Sequence, residues 1–103
     1  MINQWFKLIN NNTMRLGITY QGLENYSLLR FENFDLNKLY KKNNTITYLR
    51  YKKGIKKKYI IPCDGYIKDV NYELLQDLKK LNVCYSIYDS ELWLFDIDLY
   101  KNR

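Results

Sequence analysis

Apolar residues along the chain come in short blocks whose spacing changes from one block to the next. At the start Ile2, Trp5, Phe6 and Ile9 stand at i, i+3, i+4 and i+7, the spacing of one helix face, and the asparagines that follow end it. From Met14 the period drops to two. Met14, Leu16, Ile18 and Tyr20 alternate with Arg15, Gly17 and Thr19, as on a half-buried strand. Gln21 and Gly22 then turn the chain, and residues 26–31 read as the returning strand. Asp35 stands where an N-cap would open a short helix through Lys42, with Leu36, Leu39 and Tyr40 inward and Lys41 and Lys42 at its negative end.

Residues 45–61 read as a hairpin whose register is set by Gly54. A three-residue loop of Lys52, Lys53 and Gly54, with the glycine in the left-handed position, pairs Tyr51 with Ile55, Leu49 with Lys57 and Thr47 with Tyr59. One face then carries Leu49, Tyr51, Ile55, Tyr59 and Ile61, with Lys57 intruding. The other carries Tyr48, Arg50, Lys56 and Lys58. After Pro62 and a turn at residues 63–66, Asp69 or Asn71 caps a helix with the stripe Leu74, Leu75, Leu78 and Leu81. Two strands, residues 83–89 and 91–100, finish the chain. The order ββαββαββ, with a short helix in front, predicts one α+β domain over residues 1–103: an antiparallel sheet of about six strands with helices packed on one face.

Composition narrows the chemistry. The 103 residues contain no histidine, which removes Ser-His-Asp and Cys-His catalysis and histidine metal sites. Cys63 and Cys84 make no CxxC pair and read as reduced thiols, and the four glycines form no phosphate-binding loop. No apolar run approaches the roughly 20 residues that span a bilayer, and the first residues lack the pattern of an export signal, so a cytoplasmic protein with no membrane partner is expected. No cofactor is expected either.

Charge points to a surface. Residues 38–58 hold nine basic groups and no acid, whereas residues 64–99 hold three basic and eight acidic ones. Abundant Asn, Lys, Ile and Tyr with no Ala also fit AT-rich coding, which supplies lysine for reasons unrelated to binding. The arrangement nonetheless predicts a contact surface of Lys41, Lys42, Tyr48, Arg50, Lys52, Lys53, Lys56, Lys57 and Lys58, with cations for phosphates and a tyrosine for a base or sugar. Lysines that keep an edge hairpin from pairing with other chains are the competing explanation.

The expected function is therefore that of a small non-enzymatic module that grips nucleic acid or a nucleoprotein, in the form of a phage-type inhibitor of a host defence complex. Its expected partners are nucleic acid, a ribonucleoprotein or a host protein, with a homodimer open to it through an edge strand. Two alternatives stand beside it. Asp96 and Asp98, at i and i+2 on one strand, would place carboxylates about 7 Å apart and could hold Mg²⁺ in a small nuclease. The acidic C-terminal hairpin, with Asp89 and Glu91 added, could serve a protein-only partner of the antitoxin or immunity type.

Overall fold

The structure, a computed structural model, describes residues 4–19, 28–51, 54–77 and 92–101. Seven strands run through these residues: β1 (Gln4–Asn10), β2 (Thr13–Ile18), β3 (Leu28–Phe31), β4 (Thr45–Tyr51), β5 (Lys56–Ile60), β6 (Gly65–Val70) and β7 (Trp93–Leu99). One short helix, α1 (Tyr72–Asp77), lies between β6 and β7 in sequence. The strands form two antiparallel sheets, one in the order β1-β2-β7-β6 and one in the order β3-β4-β5. The expectation of an α+β domain, with helices covering one sheet of about six strands, is thus corrected: the fold is nearly all β, and sheet covers sheet.

Each departure has a local cause. The first block is a strand because Trp5 and Phe6 are strong β formers and β2 pairs with them residue by residue, Trp5 with Gly17 and Phe6 with Leu16. Each face of β1 carries apolar residues, Phe6 and Leu8 on one and Trp5 and Ile9 on the other, which erases the alternation and leaves a spacing that mimics a helix. At residues 35–42 a turn replaces the expected helix. The Asp35 carboxylate accepts the Asn37 N–H at 2.8 Å, and Tyr40 exchanges two backbone hydrogen bonds of 2.9 Å with Gly65.

The expected turn at residues 63–66 gives way at Gly65 to β6. A Cβ on Gly65 would stand 2.5 Å from Ile97 Cγ2 and 2.6 Å from the Asp98 carbonyl oxygen, so glycine is what lets β6 lie against β7 there.

Other expectations are met. The β4–β5 register pairs Thr47 with Tyr59 and Leu49 with Lys57, and Gly54 has φ 75°. Asn71 caps α1 by accepting the Leu74 N–H at 3.2 Å, and it also donates to the Trp93 carbonyl at 2.9 Å. Leu78, Leu81, the strand expected at 83–89, Cys84, Asp89 and Glu91 lie outside the described residues.

β3 joins β4 and not β2, whose second neighbour is β7. The chain therefore passes from the four-stranded sheet into the three-stranded one after β2 and returns with β6. Leu16, Ile18, Phe95 and Ile97 from the first sheet meet Leu49 and Tyr59 from the second, with Ile61 just beyond β5, in one buried cluster. Phe95 is its centre, edge-on to Phe34 at 5.1 Å and tilted against Tyr59 at 5.7 Å. The Tyr59 hydroxyl donates to the Gly17 carbonyl at 2.8 Å, tying β5 to β2 across the core.

Candidate functional site

The β4–β5 hairpin alternates as its sequence demands, placing Leu49 and Tyr59 in the core and Tyr48, Arg50, Lys56 and Lys58 on the outer face. That outer face is less bare of acid than the sequence suggests. Glu32 follows directly on β3 and is held beside β4: its N–H donates to the Tyr48 carbonyl at 2.9 Å, and its carbonyl accepts the Thr47 hydroxyl. Its carboxylate accepts Arg50 Nε–H on one oxygen and stands 3.7 Å from Lys56 Nζ on the other. Arg50, and then Lys56, lower the pKa of Glu32 from its ordinary value. Lys56 also lies over one face of the Tyr48 ring, 4.0 Å from its centroid.

The remaining cations spread out. Lys41 stands 3.9 Å from an Asp64 oxygen and 5.4 Å from the Tyr100 ring centroid. Lys42 is exposed, Lys58 is exposed on the hairpin's outer face, and Lys57 is half-buried opposite Leu49. Lys52 and Lys53, which join β4 to Gly54, lie outside the described residues. Gly54 itself is exposed, and a Cβ built there meets no atom within 4 Å, so open space lies beside Gly54.

The two aspartates of β7 do not act as a pair. Asp96 is buried and accepts Arg15 Nε–H at 2.8 Å and Nη2–H at 2.9 Å, a two-point carboxylate contact, while the guanidinium lies 4.5 Å from the Trp93 ring centroid. That bond to Asp96 is the main cause of the raised pKa of Arg15. Asp98 is exposed. No group of three or more potential metal ligands occurs among the described residues.

A second feature escaped the sequence reading. Gln4, Phe6, Met14, Lys42, Asn43, Ile60 and Pro62 line an open cleft of about 600 Å³ where β1 and β2 meet the end of β5. The usable signal was the presence of large apolar residues on both faces of β1, Phe6 and Leu8 on one and Trp5 and Ile9 on the other. Lys42, expected to act with the hairpin cations, lines this cleft.

The chain matches no family model and no curated protein. Among solved structures it is similar to a glycine cleavage system H protein from Mycobacterium marinum: TM-score 0.68, 15% identity, covering 94% of this chain and 78% of the other. At that identity the likeness speaks for the fold.

It overturns the expectation of a phage-type inhibitor acting on nucleic acid or a nucleoprotein, and with it nucleic acid, ribonucleoprotein and host-complex partners. The physical reason is visible in the hairpin, where Glu32 engages Arg50 and Lys56 and Lys56 lies over the ring of the half-buried Tyr48. The nuclease alternative falls with it, since Arg15 occupies both oxygens of Asp96. The antitoxin or immunity alternative is replaced by the same fold. Among the described residues no helix is long and apolar enough to cross a membrane.

Proposed function

We propose that the chain is a carrier domain of the lipoyl or biotinyl type, bearing its group on Lys52 or Lys53 between β4 and β5. One observation carries this reading: a two-sheet fold like that of a glycine cleavage system H protein, in which the β4–β5 hairpin closes through Lys52, Lys53 and Gly54. The chemistry fits. Covalent loading needs a primary amine that a ligase can reach, and the open surroundings of Gly54, with Ile55 exposed beside it, supply that access. Lys56 is less suited, because its ammonium is engaged by Glu32 and the Tyr48 ring.

A lipoyl group would supply a reducible disulfide, and a biotinyl group a ureido nitrogen, each on an amide-linked arm. The chain's own part is to present the amine in the connection between β4 and β5, a task that asks for no general base. Its partners are then the enzymes that load and use such a group, and the ATP that ligation consumes favours the cytoplasm.

The test is loading in vitro. The purified protein is incubated with a lipoate ligase, lipoate and ATP, and separately with a biotin ligase, biotin and ATP, and the products are read by intact mass and peptide mapping. A single adduct is expected with one of the two, on the peptide holding Lys52 and Lys53. It should vanish when both become Arg and persist when Lys56, Lys57 and Lys58 do. Unmodified protein in both reactions, or adducts scattered over many lysines, would remove the reading.

A further inference from the structure

The cleft beneath β1 combines apolar walls with a cation at its margin. Phe6, 55% exposed, and Met14 form one wall, and Ile60 and Pro62 form the other. Leu8, 61% exposed, pairs with Met14 and extends the apolar strip outward. Gln4 contributes no loose polarity: its amide donates to the Ile60 carbonyl at 2.8 Å and accepts the Ile60 N–H at 3.2 Å, capping the edge of β5.

The polar side chains at the margin are Lys42 and Asn43. Asn43 takes φ 71° and donates its N–H to the Ile61 carbonyl at 2.8 Å, a turn that holds both residues beside the cleft. Asp64, the nearest acid in this turn, is already engaged. One of its oxygens accepts the backbone N–H of Lys42 at 2.7 Å, and the other stands 3.9 Å from the ammonium of Lys41. The Lys42 ammonium makes no ion pair among the described residues.

We propose that this cleft binds a free medium-chain carboxylate, with its alkyl chain against Phe6, Met14, Ile60 and Pro62 and its carboxylate at Lys42. An uncharged apolar ligand would leave Lys42 without a role, and a small anion would make no use of the two apolar walls. A volume of about 600 Å³ lies within the roughly 300–1,000 Å³ of small-molecule sites. The flexible Met14 lets the wall adjust to a linear chain. β5 runs from Lys56 to Ile60, about 13 Å of strand, so the cleft lies at the end of β5 away from the turn lysines and does not depend on the carrier reading.

Titration calorimetry and amide NMR of the unmodified protein with hexanoate, octanoate, decanoate and octanol, all below their micellar concentrations, test it. Binding should tighten roughly two- to fourfold per added methylene. Shifts should centre on Phe6, Met14, Asn43 and Ile60, and octanol should bind roughly two- to fivefold more weakly than octanoate. Lys42→Gln should bring octanoate to the affinity of octanol, and Phe6→Ser should flatten the dependence on chain length. Both side chains are exposed, so both variants are expected to fold. Affinity that ignores chain length, or a preference for the carboxylate that survives Lys42→Gln, would overturn the proposal. So would a dimer in sedimentation that Phe6→Ser dissociates, since the face would then belong to a second copy.

Discussion

Two glycines limit how closely strands approach, and they do so through different neighbours. A methyl group on Gly17 would stand 2.2 Å from Cε2 of Trp5, whose ring lies over the glycine and whose Nε1–H donates to the Ile18 carbonyl at 3.2 Å. The ring can swing away at the loss of that bond and its cover. On Gly65 the methyl group would meet the Asp98 carbonyl oxygen at 2.6 Å, and that oxygen belongs to the backbone of β7. A backbone fixed in a ladder yields less than a side chain does. Gly65→Ala is therefore expected to cost about 3 kcal/mol and Gly17→Ala about 1 to 2 kcal/mol. Urea denaturation followed by far-UV circular dichroism measures both. Gly17→Ala should also shift tryptophan emission to the red, and the opposite order of costs would mean that the β6–β7 contact relaxes more readily than the Trp5 ring.

At the scale of elements, Glu32 ties the end of β3 to the β4–β5 hairpin, a connection the sequence does not show. Its carboxylate binds Arg50 of β4 and stands near Lys56 of β5, and these cations hold its pKa below the ordinary 4.5. A carboxylate whose pKa falls on folding contributes stability that is present above its unfolded pKa and is lost as pH drops through the folded value. Acidification from about pH 6 to about pH 3 should therefore destabilise the wild type more than Glu32→Gln, as read from urea midpoints. Because the pair is partly open to water, added salt should bring the two curves together.

The same residue shows where the sequence stops being legible. The register of β4–β5 could be read because one glycine and one alternating pattern fix it locally. β2 and the Asn71 cap of α1 could be read for the same reason. Glu32 meets Arg50 from eighteen positions away, a distance at which periodicity carries no information. Neither the pairing of β2 with β7 nor the strand character of β1 and β6 could be read, since each depends on a partner distant in sequence or on a close approach at Gly17 or Gly65. The cleft was hidden likewise, because Phe6 and Ile60 come together only when the sheets are assembled.

For the molecule as a whole, the question is whether two sheets that share a core also share a transition. Tyr59 belongs to the three-stranded sheet, is fully buried, and bonds the Gly17 carbonyl of the four-stranded one while its ring rests against Phe95. Tyr59→Phe keeps the ring and removes the bond, so a loss of about 1 to 2 kcal/mol is expected. Trp5 and Trp93 both lie in the four-stranded sheet, so fluorescence follows that sheet and far-UV circular dichroism follows both. Coincident midpoints by the two probes, moved together by Tyr59→Phe, are expected of one cooperative unit. Midpoints that separate would mean that the sheets unfold independently.

Alkaline pH gives the same residue a second test. Burial pushes the Tyr59 phenol well above its ordinary value of 10.0, so the folded state keeps it neutral while the unfolded chain ionises it. Its contribution is then present below that value and is lost as pH rises past it. Tyr59→Phe should be less stable than wild type near neutrality yet lose less stability than wild type on moving above pH 10.0. A variant that loses as much as wild type there would place the alkaline sensitivity in other groups and leave Tyr59 only its bond to Gly17.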